Sequence, residues 1–238
     1  MRLDKFTAYT LNLTRSQAKD LIKKGEIEVN GEIVRKGDHQ LDLENDRVTF
    51  RGEVLEYEEK VYLLLNKPAG YVSSHKDELC PSVFNLLPGF EKYNLFIAGR
   101  LDADSEGLLL ATNDGDLAHR VTSPNHRLPK KYYVRVEGKF KDSDVFLFRE
   151  GMNIKDGDGN VFKTLPADLE IISENEAFVT VFEGKFHQVK RMCRAAGKEV
   201  VRLIRTEIGP LKLDESLRPG AFRKLSHDEV EILKKECT

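Results

Sequence analysis

Asp102, Asp104 and Glu106 stand at alternate positions of one short acidic segment inside residues 99–115, GRLDADSEGLLLATNDG. Carboxylates at this spacing suit three kinds of chemistry. They can form a solvated acidic loop with no chemical task. They can bind calcium, because Asp102, Asp104, Glu106 and Gly107 match the opening of an EF-hand-like pattern. One of them can instead be an essential carboxylate, a nucleophile or a base, kept ionised by Arg100 two residues from Asp102. The calcium pattern requires a bidentate Glu further on, where this chain has Asn113, and the leucines between them read as core. Choosing between the other two depends on what the rest of the chain brings to this segment.

Few other residues are spaced for chemistry. Cys80, Cys193 and Cys237 lack CxxC spacing, which implies reduced thiols in a cytoplasm and argues against structural zinc. The six histidines form no HExxH pattern, so no metal site is expected. No apolar run is long enough to span a bilayer, and the opening residues do not read as a secretory leader. With 40% hydrophobic and 33% charged residues, the 238-residue chain reads as a soluble globular protein of one large or two smaller domains. Net charge is only −2, yet the basic residues are gathered. Residues 120–136 hold Arg120, Arg127, Lys130, Lys131 and Arg135 with no acid. Residues 184–206 hold Lys185, Lys190, Arg191, Arg194, Lys198, Arg202 and Arg205 against Glu199 alone. Two such segments in a chain of near-zero net charge imply a localised phosphate-binding surface.

The elements that must position these groups follow from periodicity. Leu108, Leu109, Leu110 and Ala111 predict a buried strand, entered by a sharp turn at Gly107 and closed by the turn formers Thr112, Asn113, Asp114 and Gly115. An acidic loop fixed by a core strand is where catalytic groups tend to lie. Residues 1–50 read as a separate module. It has a short apolar helix, a second helix capped by Thr14 or Ser16 and ended at Gly25, and a hairpin around Asn30-Gly31. Residues 51–60 are polar and read as a linker, giving expected domains of 1–58 and 59–238. Beyond it, strands are expected at residues 61–65, 95–98, 131–136, 169–172, 178–183 and 200–204. Helices are expected near 82–87, 116–121, 143–149 and 188–196, and a final one follows the capping box at Ser226. Strands not regularly separated by helices favour an α+β fold with a mostly antiparallel, mixed sheet flanked by helices.

In the first module the outward residues are basic: Arg2, Lys5, Arg15, Lys19, Lys23, Lys24, Arg35 and Lys36. The start MRLDKF and the pattern RxxAKxLIxxGxIxVNGxxV resemble the S4 RNA-binding domain. Further on, four motifs occur in order. They are Lys67-Pro68-Ala69-Gly70, the GRLDADSEGLLLATNDG segment, Lys130-x-Tyr132-x-Val134, and the run from Glu183 to Met192, EGKFHQVKRM. Together they resemble the RsuA family of rRNA pseudouridine synthases over essentially the whole chain.

That resemblance implies a cofactor-free isomerase acting on a base-flipped uridine, with Asp102 as the essential carboxylate. Asp104 and Glu106 fall outside the family position and are left as loop-shaping or solvent-facing, while Arg100 would tune Asp102. Tyr132 matches the tyrosine that packs against the target base, and Tyr133 should point to the opposite face of its strand. Lys190 sits where the family has a basic partner for the carboxylate. Arg191 is the fallback, and Arg194, one helical turn on, would face phosphate along with Lys130 and Lys131. Leu203 matches an apolar position lining the pocket, and His187 is read as a structural hydrogen-bonding residue. The implied partner is 16S rRNA in a partly assembled small subunit, with the uridine conventionally numbered 516 as target. The chain would act as a monomer, away from membranes. Ser105-Glu106 is a pairing found also among relatives that modify large-subunit 23S rRNA, so that target stays open, as does a non-catalytic rRNA-binding assembly protein.

Overall fold

Helix signals at the start of the chain act where they stand. In the computed structural model, which describes residues 1–155 and 159–237, α1 (Leu3–Thr10) precedes α2 (Arg15–Lys24). Thr14 caps α2: its Oγ1 accepts from the Gln17 amide at 3.3 Å, and the Gln17 side chain accepts from the Thr14 amide at 2.9 Å. Gly25 ends the helix in the left-handed region, φ +79°. β1 (Ile27–Val29) and β2 (Glu32–Ile33) form the hairpin, with Asn30 and Gly31 both at positive φ as a type I′ turn requires. β3 (Val48–Phe50) and β4 (Glu53–Val54) complete a four-stranded sheet ordered β2-β1-β3-β4. The polar stretch expected to be a linker is thus partly a strand. Its alternate apolar residues, Leu55 and Tyr57, pack on a core of Leu3, Phe6, Ile22, Ile27, Val29, Leu41 and Val48. The chain divides into units Met1–Glu59 and Lys60–Thr238.

The second unit is built on one large sheet. In order come β5 (Tyr62–Lys67), β6 (Phe96–Ala98), β7 (Glu106–Thr112), α3 (Gly115–Thr122), β8 (Lys130–Glu137) and α4 (Asp142–Glu150). Then follow β9 (Asn153–Lys155), β10 (Val161–Lys163), β11 (Asp168–Ser173), β12 (Glu176–Val181) and α5 (Gln188–Ala195). The unit ends with β13 (Glu199–Ile208), β14 (Leu211–Lys212), β15 (Phe222–Lys224) and α6 (His227–Glu236). The sheet runs β11-β12-β8-β13-β7-β5-β15, and among its described pairings only β13–β7 is parallel. This is the mostly antiparallel, mixed sheet expected.

Burial on both faces explains the unbroken apolar runs of β5 and β7. Leu63, Leu65, Leu109 and Ala111 join a core with Phe148 of α4 and Met192 of α5. Leu64, Leu108 and Leu110 join a second core with Val121 of α3 and Leu233 of α6. Four details differ from expectation. The helix near 82–87 is a 3-10 turn, Val83–Leu86. The helix expected at 116–121 begins one residue earlier, at Gly115, and is capped by Asp114. The strand expected at 200–204 continues to Ile208 because it also pairs with β7 and β14. Gly107 lies inside β7, against the backbone of β13, rather than at a turn before the strand.

Candidate active site

Between β6 and β7 the chain makes the tight turn that carries Asp102, and the Ser105 amide closes it on the Asp102 carbonyl at 3.1 Å. Beneath the turn lies Lys67, at the end of β5 and fully buried. Its ammonium donates to the main-chain carbonyls of Asp102 (3.0 Å), Ala103 (3.2 Å) and Ser105 (2.6 Å), and lies 3.1 Å from that of Pro68. Burial lowers the Lys67 ammonium to about 8, although Asp104, Asp102 and Glu106 pull it the other way. The Gly70 amide donates to the Ala103 carbonyl at 2.7 Å. On the near side, Ser73 Oγ donates to the Leu101 carbonyl at 2.8 Å and accepts from the Leu101 amide at 3.2 Å.

The far side is held by Arg205 of β13, buried to 1% exposure. Its guanidinium donates to the carbonyls of Leu108 (2.8 Å) and Gly99 (2.7 Å), and Nη1 lies 3.4 Å from the Tyr132 hydroxyl. The Arg205 backbone also presses against Gly107, where an added Cβ would sit 2.3 Å from the Arg205 carbonyl oxygen at a φ of +101°. Gly107 therefore marks the close parallel contact of β7 with β13.

A cavity of about 650 Å3 opens over this turn, lined among others by Arg100, Asp102, Lys130, Tyr132, Phe186 and His187. Its size is that of a small-ligand site. The Asp102 carboxylate is reached from α5: Lys190 Nζ is 3.1 Å from Oδ2 and His187 Nε2 is 3.3 Å from Oδ1. Lys190 also bridges to Asp104 at 2.5 Å. His187 precedes α5 at a φ of +52°, a conformation that costs a non-glycine residue energy and is over-determined here. Gln188 donates to Glu183 at 2.8 Å and accepts from the Lys185 amide at 3.0 Å, while Glu183 also accepts from the Leu165 amide at 2.9 Å. These bonds hold the turn between Glu183 and Gln188 that delivers His187 and Lys190.

Several expected residues meet here. Asp102 and Tyr132 line the cavity, Leu203 lines its smaller continuation, and Lys190 grips the carboxylate. Arg100 does not. It is exposed at the cavity edge and makes no ion pair with Asp102, because the turn aims the carboxylate toward Lys190 of α5 and the preceding His187, which occupy it instead. Arg191 is half-buried with its guanidinium 5.0 Å from the Phe186 ring centre, and Arg194 pairs in two hydrogen bonds with Glu199.

Strand alternation separates the two lysines before Tyr132. Lys130 shares the inward face, is buried, and donates to the Leu128 carbonyl at 3.0 Å. Burial first, then the charge of Arg205, lower its ammonium to about 8, which fits a wall residue rather than an outward phosphate contact. Lys131 takes the other face with Tyr133, its ammonium over the Phe178 ring and 3.6 Å from Glu170. In the first unit Lys5, Arg15, Lys19 and Lys23 are exposed. Arg2 is exposed too but is tied to Asp4 at 2.7 Å.

Lys67, Ser73 and Arg205 were not anticipated as site residues, and His187 was given a lesser part. A legible sign existed for two of them. Lys67 follows Leu63 and Leu65, and Arg205 follows Leu203, at the inward parity of their strands, where a cation must have internal acceptors.

Comparison with known proteins assigns both units to known families. Residues 61–195 match the RNA pseudouridylate synthase family and residues 1–48 match the S4 domain. The chain is 41% identical over 230 residues to the ribosomal small subunit pseudouridine synthase A of Vibrio cholerae, covering 97% of this chain and 98% of that one. It is 42% identical over 236 residues to the protein of the same name from Haemophilus influenzae, covering 99% and 100%. A crystal structure of a pseudouridylate synthase superposes with a TM-score of 0.69 at 41% identity, over 98% of this chain and 99% of that one. With matched motifs, matched fold and full-length relatives, the chain belongs to the RNA pseudouridine synthases, isomerases of uridine in RNA, and carries an S4 domain ahead of its catalytic unit.

Proposed function

We propose that this enzyme isomerises one uridine of 16S rRNA, the one conventionally numbered 516, within a partly assembled small ribosomal subunit. The relatives' names support the small subunit. The observation that carries the chemistry is the convergence of Lys190 and His187 on the carboxylate of Asp102, which lines one cavity with Tyr132. The uridine turns out of its stack, and its uracil packs against Tyr132 with Leu203 behind. Asp102 then either attacks C1′ or removes a sugar proton, and the C1′–N1 bond breaks. The freed uracil rotates and C1′ joins C5 as the Asp102–C1′ bond breaks, or, in the second route, as the removed sugar proton returns. The C5 proton then leaves and N1 acquires a proton. All atoms are retained and no electrons are exchanged, in keeping with a cofactor-free reaction.

Lys190 pairs with the carboxylate throughout and fixes its direction. Arg100 and Arg191 meet the substrate at the cavity edge, and Lys130 buttresses the wall beside Tyr132. Arg2, Lys5, Arg15, Lys19 and Lys23, with Lys131 and Arg194, contact phosphate. The enzyme works as a monomer in the cytoplasm, and among the described residues no helix is long and apolar enough to cross a membrane.

Asp102→Asn keeps the shape and removes the charge. It should abolish pseudouridine formation while RNA affinity stays within a few-fold; full activity in the variant overturns the mechanism. Mapping pseudouridine across both rRNAs after deletion of the gene should show loss at a single 16S position. Loss from 23S rRNA instead transfers the target to the large subunit.

A further inference from the structure

Phe186 is an exposed aromatic in a place where exposure is costly. It is 61% exposed, and among the large apolar side chains exposed in the described residues it alone lines the cavity above Asp102. Its ring stacks on His187 with centroids 3.7 Å apart and planes 25° from parallel. His187 in turn touches Asp102, so the two rings make a continuous aromatic step from the carboxylate to the rim. Tyr132, by contrast, is 9% exposed and lies in the wall. The guanidinium of Arg191 rests over Phe186 at 5.0 Å from the ring centre, looser than a stacked contact. Its Nη1 is buried without a hydrogen-bond partner. A cationic donor left unpaired is under tension to move to an acceptor.

We propose that Phe186 and Arg191 form a second nucleotide subsite, which takes the base and phosphate of the nucleotide next to the target uridine. The inference rests on the functional reading above. A base leaving a stack uncovers one face of its neighbour, and single-stranded RNA is recognised by stacking such faces on aromatic rings. Phe186 extends the His187 ring toward solvent and offers that replacement surface. Arg191 leaves the ring as the base arrives and gives its unpaired donor to the adjoining phosphate. The same motion leaves Lys190, one residue earlier on α5, on Asp102.

The test is a small-subunit rRNA stem-loop spanning the target, with 2-aminopurine placed on one side or the other of the target uridine. Phe186→Ala should raise KM about tenfold, within the range of base–aromatic stacking, with kcat little changed. Phe186→Trp should restore it. The bound 2-aminopurine should be brighter with Phe186→Ala than with the wild type, on one of the two sides only. A fall in kcat at unchanged KM would mean that Phe186 only supports His187, and it overturns the proposal; so does equal fluorescence on both sides. The fluorescence is a binding signal. If the wild type makes no pseudouridine in this RNA, the functional reading fails, and the fluorescence contrast still decides the stacking.

Discussion

Lys67 does for the active turn what a side chain on the turn could not. A single ammonium, out of water, supplies donors to three main-chain carbonyls of the turn, those of Asp102, Ala103 and Ser105. Lys67→Met leaves those carbonyls without their donor, at roughly 1–3 kcal/mol for a buried unsatisfied group. The expected result is a lower unfolding midpoint in urea, together with a fall in kcat that exceeds any rise in KM. Titration gives a second check. The unfolded chain keeps the Lys67 proton up to about 10.5, whereas the folded chain releases it near 8. Between those values the unfolded state binds more protons, so the lysine's contribution to stability rises with pH and is least below 8. Thermal melts at pH 7.5, 8.5 and 9.5 should show this rise in the wild type relative to Lys67→Met; Lys130, also lowered to about 8, adds a rise of the same sign that both proteins share. The sequence anticipated that Lys190 meets Asp102 but misplaced Arg100. Arg100 is close in the chain yet makes no ion pair with the carboxylate, whereas Lys190 is 88 residues away and touches it. Adjacency in sequence is a poor guide wherever a turn decides which way a side chain leaves the backbone.

Among the elements, β7 and β13 matter most, because their parallel contact at Gly107 and Arg205 sets the height of the turn above the sheet. Gly107→Ala meets both a clash and an unfavourable φ. It should cost about 3 kcal/mol or more, seen as a shift of the urea midpoint with an unchanged m-value. Leu109→Ala, in the same strand but facing the core, should cost about 2–5 kcal/mol and leave KM for RNA unaltered. Elements with strong local signals were readable in advance: a cap of α2 at Thr14 or Ser16, the Asn30-Gly31 hairpin, the Ser226 capping box and the leucine run of β7. Short edge elements were not. β9, β10, β14 and β15 are two or three residues long, too short for a period to develop; β14 and β15 lie along the longer β13 and β5, and β9 and β10 pair with each other. Gly107 looked like a turn residue because glycine reports a backbone constraint without naming it.

At the scale of the molecule, a chain of net charge −2 handles a polyanion by placing its cations where they count. The S4 unit contributes exposed Lys5, Arg15 and Lys23, and charge reversal at all three should weaken RNA binding at every salt concentration tested. The slope of log K against log salt should become shallower by about 0.7 for each phosphate of single-stranded RNA that is no longer neutralised, and an unchanged slope would remove these residues from the interface. The catalytic unit offers a different freedom. Lys67 and Gly70 hold the Asp102 turn only through main-chain oxygens, which every amino acid supplies alike. The architecture is therefore indifferent to the side chain the turn displays at position 103, whereas Asp104 is tied to Lys190. A lineage, or an engineer, can change the residue at position 103 for another RNA sequence and inherit the Asp102 turn already in place.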